Sequence, residues 1–353
     1  MLRKIKVLLT ATGAPGCSTL MRKLKNNGER ELEIIATDMN REVIGAFWAD
    51  KFYAVPPADS PEYISSIEEI IKKEQPDVFF PVSSAEVLPV AKNKLLFENL
   101  GIKVMVSDPG PIEIAMNKYK LYSLLKDYDI PVPEFYYPRN LDEFIQMAKE
   151  LGYPKRRVCF KPHISKGSRG FRILDESISR KDLLLKYKPE SRYMSLKEFV
   201  EIFEKEEEFP ALILMEVVEG SEYDAMTLCY HGEALLTTVK TRERSRWGII
   251  TLGELVDKPE IVELVEKIIL LIPLSYNISL QFIGDKLIEI NPRTSTYIYQ
   301  PDLNEPYLAI KLCLGEISKK EIHSYQSRIR YGRRMLRYMD QIFWDKNSCE
   351  FED

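Results

Sequence analysis

Leu280-Gln281-Phe282-Ile283-Gly284-Asp285-Lys286-Leu287-Ile288-Glu289-Ile290-Asn291-Pro292-Arg293 reads as a β-hairpin whose two faces differ in chemistry. A three-residue connection of Gly284, Asp285 and Lys286 sets Phe282 opposite Ile288 and Leu280 opposite Ile290, leaving Gln281 opposite Glu289 and Ser279 opposite Asn291. A two-residue Gly-Asp turn would mix apolar with polar partners. Register is specified wherever one face is buried, so the sequence predicts the longer loop. Carboxylate and amide oxygens with no Cys or His nearby suit a hard divalent cation such as Mg2+ and disfavour zinc. Glu289 and Asn291 lie two apart and project to one side of the strand. Arg293, just past Pro292, offers a planar fork for phosphate or carboxylate oxygens. The plainer alternative is a solvated hairpin with ordinary polar residues on its wet side.

Around this segment, 353 residues allow two or three domains, each with its own core. With 45% hydrophobic and 29% charged residues, the composition is that of a globular protein and excludes a mainly disordered chain. Fifty basic against 54 acidic side chains give a formal charge of -4, which indicates neither nucleic acid nor an acidic membrane surface as the main partner. The five cysteines (Cys17, Cys159, Cys229, Cys313, Cys349) are scattered and form no CxxC pair, which suits reduced thiols in a cytoplasm. The apolar run Val7-Leu8-Leu9 is too short for a signal-peptide core, and residues 268–274 fall far short of a membrane span.

Short apolar runs at residues 6–11, 34–37, 78–82 and 103–106 alternate with helical stretches, the pattern of a parallel sheet covered by helices. Thr12-Gly13-Ala14-Pro15-Gly16-Cys17-Ser18-Thr19 is a glycine-containing turn that opens a helix and can face an anion. It has neither the lysine of a P-loop nor GxGxxG spacing, so it reads as a structural turn or substrate-facing loop. Asp108-Pro109-Gly110-Pro111 punctuates the chain and marks a domain boundary. Beyond it come a helix through Lys118, a strand over 158–161, an exposed helix over 197–208, a buried strand over 211–218, a hairpin over 223–240 and a helix over 259–271.

Lys161 ends a strand just before Pro162-His163-Ile164-Ser165-Lys166-Gly167-Ser168-Arg169-Gly170, a small basic loop suited to covering a triphosphate. Gly167 and Gly170 let backbone N–H groups approach phosphate oxygens, Ser165 and Ser168 donate hydrogen bonds, and Lys161 supplies a point charge. A mobile loop with a solvated lysine is the alternative. The apolar strand that ends at Glu216-Val217-Val218 has an edge able to read an adenine, and Glu222 is placed to accept from ribose hydroxyls. The run Lys240-Thr241-Arg242-Glu243-Arg244-Ser245-Arg246 holds four cations and, beside a phosphate site, would hold an anionic substrate or a terminal phosphate.

In this order, a lysine helix, a Lys-plus-glycine loop, an adenine strand, a basic loop and a Gln/Glu/Asn hairpin, the chain resembles the ATP-grasp superfamily, most closely its carbamoyl-phosphate synthetase large-subunit type, over residues 1–316. The resemblance implies an α/β parallel-sheet pre-ATP-grasp domain (1–110), two α+β ATP-grasp subdomains (111–210 and 211–323) and a C-terminal extension (324–353). It also implies that Lys118 and Lys161 contact nucleotide phosphates, that Glu216, Val217 and Val218 line the adenine, and that Glu222 holds the ribose. By the same resemblance Gln281, Glu289 and Asn291 bind Mg2+ (or Mn2+), and Arg293 steadies an acyl phosphate, with Lys161 and Arg242 also serving the chemistry. The implied activity is an ATP-dependent ligase that joins a small-molecule carboxylate to an amine or ammonia. A kinase that stops after phosphorylation and a non-catalytic nucleotide-binding module are the alternatives. Two departures stand out: the loop is lean in glycine, and one ATP-grasp unit is too short for a full carbamoyl-phosphate synthetase. The resemblance makes a homodimer plausible. The tail Arg328-Ile329-Arg330-Tyr331-Gly332-Arg333-Arg334 reads as a packed strand or oligomer contact, since the chain has no basic excess.

Overall fold

The computed structural model describes residues 2–164, 169–188, 191–246, 248–345 and 351–352. The chain groups into two compact units, one of residues 1–113, 222–280 and 290–353, the other of residues 114–221 and 281–289.

The first unit begins with β1 (Ile5–Leu9), β2 (Leu32–Asp38), β3 (Lys51–Ala54), β4 (Val78–Phe80) and β5 (Lys103–Val104), paired in parallel in the order β3-β2-β1-β4-β5. Apolar residues on both faces of β1 and β2 make them central strands covered on two sides. The expected strands are found, with ends shifted by a few residues. The edge strand β3, Lys-Phe-Tyr-Ala, is an addition that its half-exposed, mixed composition concealed.

The second unit is built on β6 (Phe135–Tyr136), β7 (Val158–Pro162), β8 (Arg172–Leu174), β9 (Tyr193–Met194) and β10 (Leu212–Glu216), in the order β6-β10-β7-β8-β9. Phe144 and Phe199 stack at 4.0 Å between centroids, and Val158, Phe160, Leu212 and Leu214 close the core around them. The expected helix over 197–208 runs Leu196–Phe203, capped by Ser195, whose side chain accepts from the Glu198 N–H.

The chain then returns to the first unit with β11 (Glu222–Tyr230), β12 (Glu233–Thr241), β13 (Arg244–Arg246) and β14 (Ile249–Glu254). β15 (Tyr276–Ile283) and β16 (Lys286–Asn291) follow, and β17 (Arg334–Leu336) closes a small sheet against β14. The turn between β11 and β12 is formed by His231 and Gly232, both at positive φ, as a tight hairpin needs. β11, β12, β15 and β16 form one sheet, ordered β12-β11-β15-β16. Met226, Leu228, Leu235 and Leu236 join Ile5, Val7, Leu20 and Ile34 and the helix Glu305–Leu314 in a single apolar cluster. That shared core is why segments read as separate at 110 and 211 fall in one compact unit. Of the basic tail, residues 328–334, only Arg334 enters a strand: it opens β17, which pairs with β14, while the Arg333 guanidinium donates to the Tyr299 carbonyl at 2.7 Å. Among the described residues, no helix is long and apolar enough to cross a membrane.

Candidate active site

In the second unit the alternation of β7 sets the chemistry. Val158 and Phe160 enter the core, so Cys159 and Lys161 leave the opposite face. Lys161 is only 7% exposed, and Lys118, the first residue of the helix Lys118–Asp127, is 4% exposed. Asn117 caps that helix by accepting from the Lys120 N–H at 3.1 Å, and the Lys118 N–H donates to the His163 carbonyl at 2.9 Å, which ties the helix start to the chain just past β7. Burial, and then the neighbouring Lys118 ammonium, push Lys161 down to about 8, against an upward pull from Glu289. Burial likewise lowers Lys118, and Glu289 again opposes it. The Lys161 ammonium lies 6.0 Å from the Tyr122 ring centroid, while the Tyr122 hydroxyl donates to the Ile288 carbonyl at 2.6 Å. Two residues 43 apart in sequence and a hairpin far downstream thus share one electrostatic environment.

Of the covering loop, Ser165, Gly167 and Ser168 lie outside the described residues. Gly170 sits at φ +74°, and a Cβ there would come within 2.6 Å of Pro162 Cδ, so the turn back onto β7 requires glycine. Glu216, Val217 and Val218 line a cavity of 580 Å³ together with Glu134, Ile283 and Lys286. The Glu216 carboxylate accepts from the Glu134 N–H at 2.9 Å and pairs with Lys286, a partner the sequence did not announce.

The hairpin corrects one expectation. β15 ends at Ile283 and β16 begins at Lys286, so the connection is the two-residue Gly284-Asp285 turn, with Gly284 at φ +60°. Leu287, not Ile288, is buried alongside Phe282, and the next buried residue is Ile290, three further on, so the alternation shifts phase between them. At that point the Leu287 N–H donates to the Pro131 carbonyl at 2.9 Å and the Ile288 carbonyl accepts from Tyr122. These tertiary bonds let a short turn coexist with an apolar face. Gln281, Glu289 and Asn291 are all half-buried. Among the described residues, no three His, Cys, Asp or Glu side chains are grouped to hold a metal ion. Each of the three side chains offers the kind of oxygen that a hard divalent ion prefers.

In the first unit Lys240 is wholly buried and contacts Asp224 Oδ1 at 2.5 Å. Asp224 Oδ2 accepts from the Ser279 hydroxyl at 3.2 Å and lies 3.7 Å from Arg242. Arg242 Nε meets Glu222 at 3.1 Å, and its Nη2 donates to the Gly248 carbonyl at 3.2 Å. The run of four cations therefore divides: Lys240 and Arg242 belong to a buried network, whereas Arg244 and Arg246 stand exposed on β13. Arg293 Nε donates to the Ser84 hydroxyl at 2.8 Å, and its Nη1 donates to the Thr294 carbonyl at 2.9 Å. Sequence reasoning passed over Asp224 and Ser84, and it set Ser279 opposite Asn291 without seeing its bond to Asp224. The alternation of β11 puts Asp224 on the same strand face as Glu222, which was the one available signal for it.

The chain carries an ATP-grasp domain and a PylC-like N-terminal domain: residues 208–334 match the family described as ATP-grasp in the biosynthetic pathway with Ter operon, and residues 7–105 match the PylC-like N-terminal domain. Among curated relatives, the carbamoyl phosphate synthase large chain of Methanosarcina barkeri is 26% identical over 184 residues, covering 51% of this chain and 16% of the relative. That of Clostridium acetobutylicum is 25% identical over 250 residues, covering 66% and 21%. The matched region thus spans about a fifth or less of these relatives. Among solved structures, the biotin carboxylase domain dimer of Hydrogenobacter thermophilus 2-oxoglutarate carboxylase, in complex with MgADP, ADP and bicarbonate, superposes with a TM-score of 0.65 at 20% identity, covering 94% of this chain and 74% of that one. The L-amino acid ligase of Bacillus licheniformis gives 0.62 at 14% identity, covering 95% and 79%. At these identities the structural likeness speaks for the fold.

Proposed function

We propose that the protein is an ATP- and Mg2+-dependent ligase that joins a small-molecule carboxylate to an amine through an acyl phosphate. The observation that carries this reading is Lys161, held in a buried position beside a second lysine and lowered to about 8. A buried ammonium pressed toward neutrality is relieved by a bound polyanion. In this reading Lys118 and Lys161 neutralise the phosphates, under a loop that includes Ser165, Gly167, Ser168 and Gly170. The cavity at Glu216, Val217 and Val218 takes the adenine, and Glu222, oriented by Arg242, takes the ribose. Gln281, Glu289 and Asn291 hold the magnesium ion, which supplies charge neutralisation and alignment of the phosphates. Lys240 is assigned to the nucleotide side through its pairing with Asp224.

A substrate carboxylate oxygen attacks the γ-phosphorus as the bond to the β-phosphate oxygen breaks. Arg293, fixed by Ser84, steadies the acyl phosphate, and an amine then displaces phosphate. Phosphoryl transfer needs alignment and charge compensation rather than a protein nucleophile, which suits a site rich in fixed cations. A homodimer is part of the proposal, in line with the dimeric biotin carboxylase domain above.

The test is a screen of carboxylate and amine pairs, amino acids first, for ADP release by the purified protein. Release should require both substrates and fail in Glu289→Gln. Hydroxylamine, added with the carboxylate alone, should trap a hydroxamate. ADP release with a stable phosphorylated product and no hydroxamate would assign the protein to the kinases instead.

A further inference from the structure

Arg337 follows directly on β17, and its N–H donates to the Thr251 carbonyl of β14 at 2.8 Å, so its backbone is anchored to the sheet. The side chain is half-buried and held by three acceptors. Nε donates to the Ile250 carbonyl at 3.2 Å, Nη1 to the Pro15 carbonyl, and Nη2 to the Thr296 hydroxyl at 3.2 Å. All of these are neutral. Arg334, on the same strand, pairs with Glu243 and Glu254, whereas no carboxylate among the described residues pairs with Arg337. Burial accordingly lowers its proton affinity with nothing to offset it.

A guanidinium has one N–H on Nε and two on each Nη, so one on Nη1 and one on Nη2 remain after these bonds. Thr296 accepts from Arg337 and keeps its own O–H to donate. Thr296 is half-buried and Pro15 exposed, so these donors lie where a small anion can reach them. A planar cation suits a carboxylate best. The place in the fold agrees. The order β3-β2-β1-β4-β5 changes direction between β1 and β4, and open α/β sheets take ligands outside the carboxyl ends of the strands at such a point. Pro15 lies in the glycine-containing turn after β1, and Ser84 lies past the end of β4. Each lip of that crevice thus carries an arginine: Arg293 bonded to Ser84 and Arg337 bonded to Pro15. The proposed reaction uses Arg293 for the carboxylate that becomes activated, which leaves Arg337 for another.

We infer that Arg337 and Thr296 bind a second carboxylate, one that a substrate keeps through the reaction, so that this substrate is a dicarboxylic acid or an α-amino acid. The anion site stands on the geometry, and its use by a substrate rests on the ligase reading above. Arg337 is a specificity residue in this scheme. It touches a group that does not react, so it contributes to holding the substrate equally before and during bond making.

The experiment is nuclear magnetic resonance of the full chain carrying isotope-labelled arginine, in which the Arg337 Nε–H signal is identified by its loss in Arg337→Lys. Sodium acetate is compared with sodium chloride at matched ionic strength. Acetate should shift that signal to saturation and chloride should not, and Thr296→Val should weaken the acetate response severalfold. For the substrate pair found by ADP release, Arg337→Lys should raise KM for one substrate by roughly tenfold and leave kcat within about threefold, since lysine keeps the charge but not the planar fork. Amidating the unreactive carboxylate of that substrate should abolish the difference between variant and wild type, and the identity of the substrate so affected separates the dicarboxylic acid from the amino acid. A signal that acetate does not move, a response that chloride reproduces, or a variant that loses kcat and thermal stability at unchanged KM, as a mere strap between β17 and the turn would, overturns the inference. If acetate binds as expected but no substrate pair ever yields ADP, the anion site stands and the ligase reading falls.

Discussion

Replacing Lys161 with methionine should make the fold more stable and the protein unable to hold ATP. The lysine falls from 10.5 to about 8, with burial as the first cause. Each tenfold change in proton affinity is worth about 1.4 kcal/mol, so keeping this ammonium charged costs the native state roughly 3 kcal/mol at neutral pH. The folded value lies below the unfolded one, so the unfolded chain binds more protons between about 8 and 10.5. Stability therefore rises as pH climbs through that window, and the full cost is present below it. Lys161→Met keeps the length and apolar stem, removes the charge and relieves Lys118 of its neighbour. Part of the gain is lost because Glu289 keeps one cation fewer near it, so a gain of about 1–3 kcal/mol is expected, several degrees in Tm. Calorimetry at pH 7 and at pH 10 checks the sign, since the advantage of the variant should shrink at the higher pH. ATP with magnesium should raise the Tm of the wild type and leave that of Lys161→Met unchanged. A variant less stable than wild type by the same margin at both pH values would refute the argument.

Three further outcomes follow from the same geometry. ATP should bind with uptake of a proton near pH 8, because the phosphates restore the charge on Lys161; calorimetric binding enthalpies in buffers of different ionisation heat read this directly, and affinity should fall above about 8. Glu289→Gln should cost roughly 3 kcal/mol of transition-state stabilisation, a loss of two to three orders of magnitude in ADP release, with magnesium-dependent nucleotide binding weakened in parallel. Asp224→Asn leaves Lys240 buried without its 2.5 Å partner and should destabilise the first unit by about 3–5 kcal/mol in urea titrations, a loss that Lys240→Met in the same chain should largely recover.

The class of fold was legible in the sequence because it rests on local patterns. Apolar runs in β1, β2 and β4 announce a parallel sheet, and the hairpin over 222–241 carries its turn in His231 and Gly232. What the sequence hid depends on contacts between distant residues. The hairpin turn was read one residue too long because the alternation argument could not see the Tyr122 hydroxyl or the Pro131 carbonyl bonding to the Leu287–Ile288 backbone. Lys161 was read as a phosphate contact from its place before a glycine-containing loop, but its perturbation comes first from depth in the fold and then from Lys118, 43 residues earlier. The four cations from Lys240 to Arg246 looked alike, yet Asp224 gathers Lys240 and Arg242, while Arg244 and Arg246 stand exposed on β13.

The two units compensate buried charge in different ways. In the second unit, burial and a neighbouring cation press the Lys161 ammonium toward neutrality, a state that an anion corrects. In the first unit, Lys240 and Asp224 form a closed buried pair at 2.5 Å, so that charge is compensated within the fold. Ion pairs kept only for the fold would be expected to match charge for charge, because an uncompensated buried ion costs several kcal/mol. The uncompensated ammonium at Lys161 is the feature that the proposed binding of nucleotide phosphates accounts for.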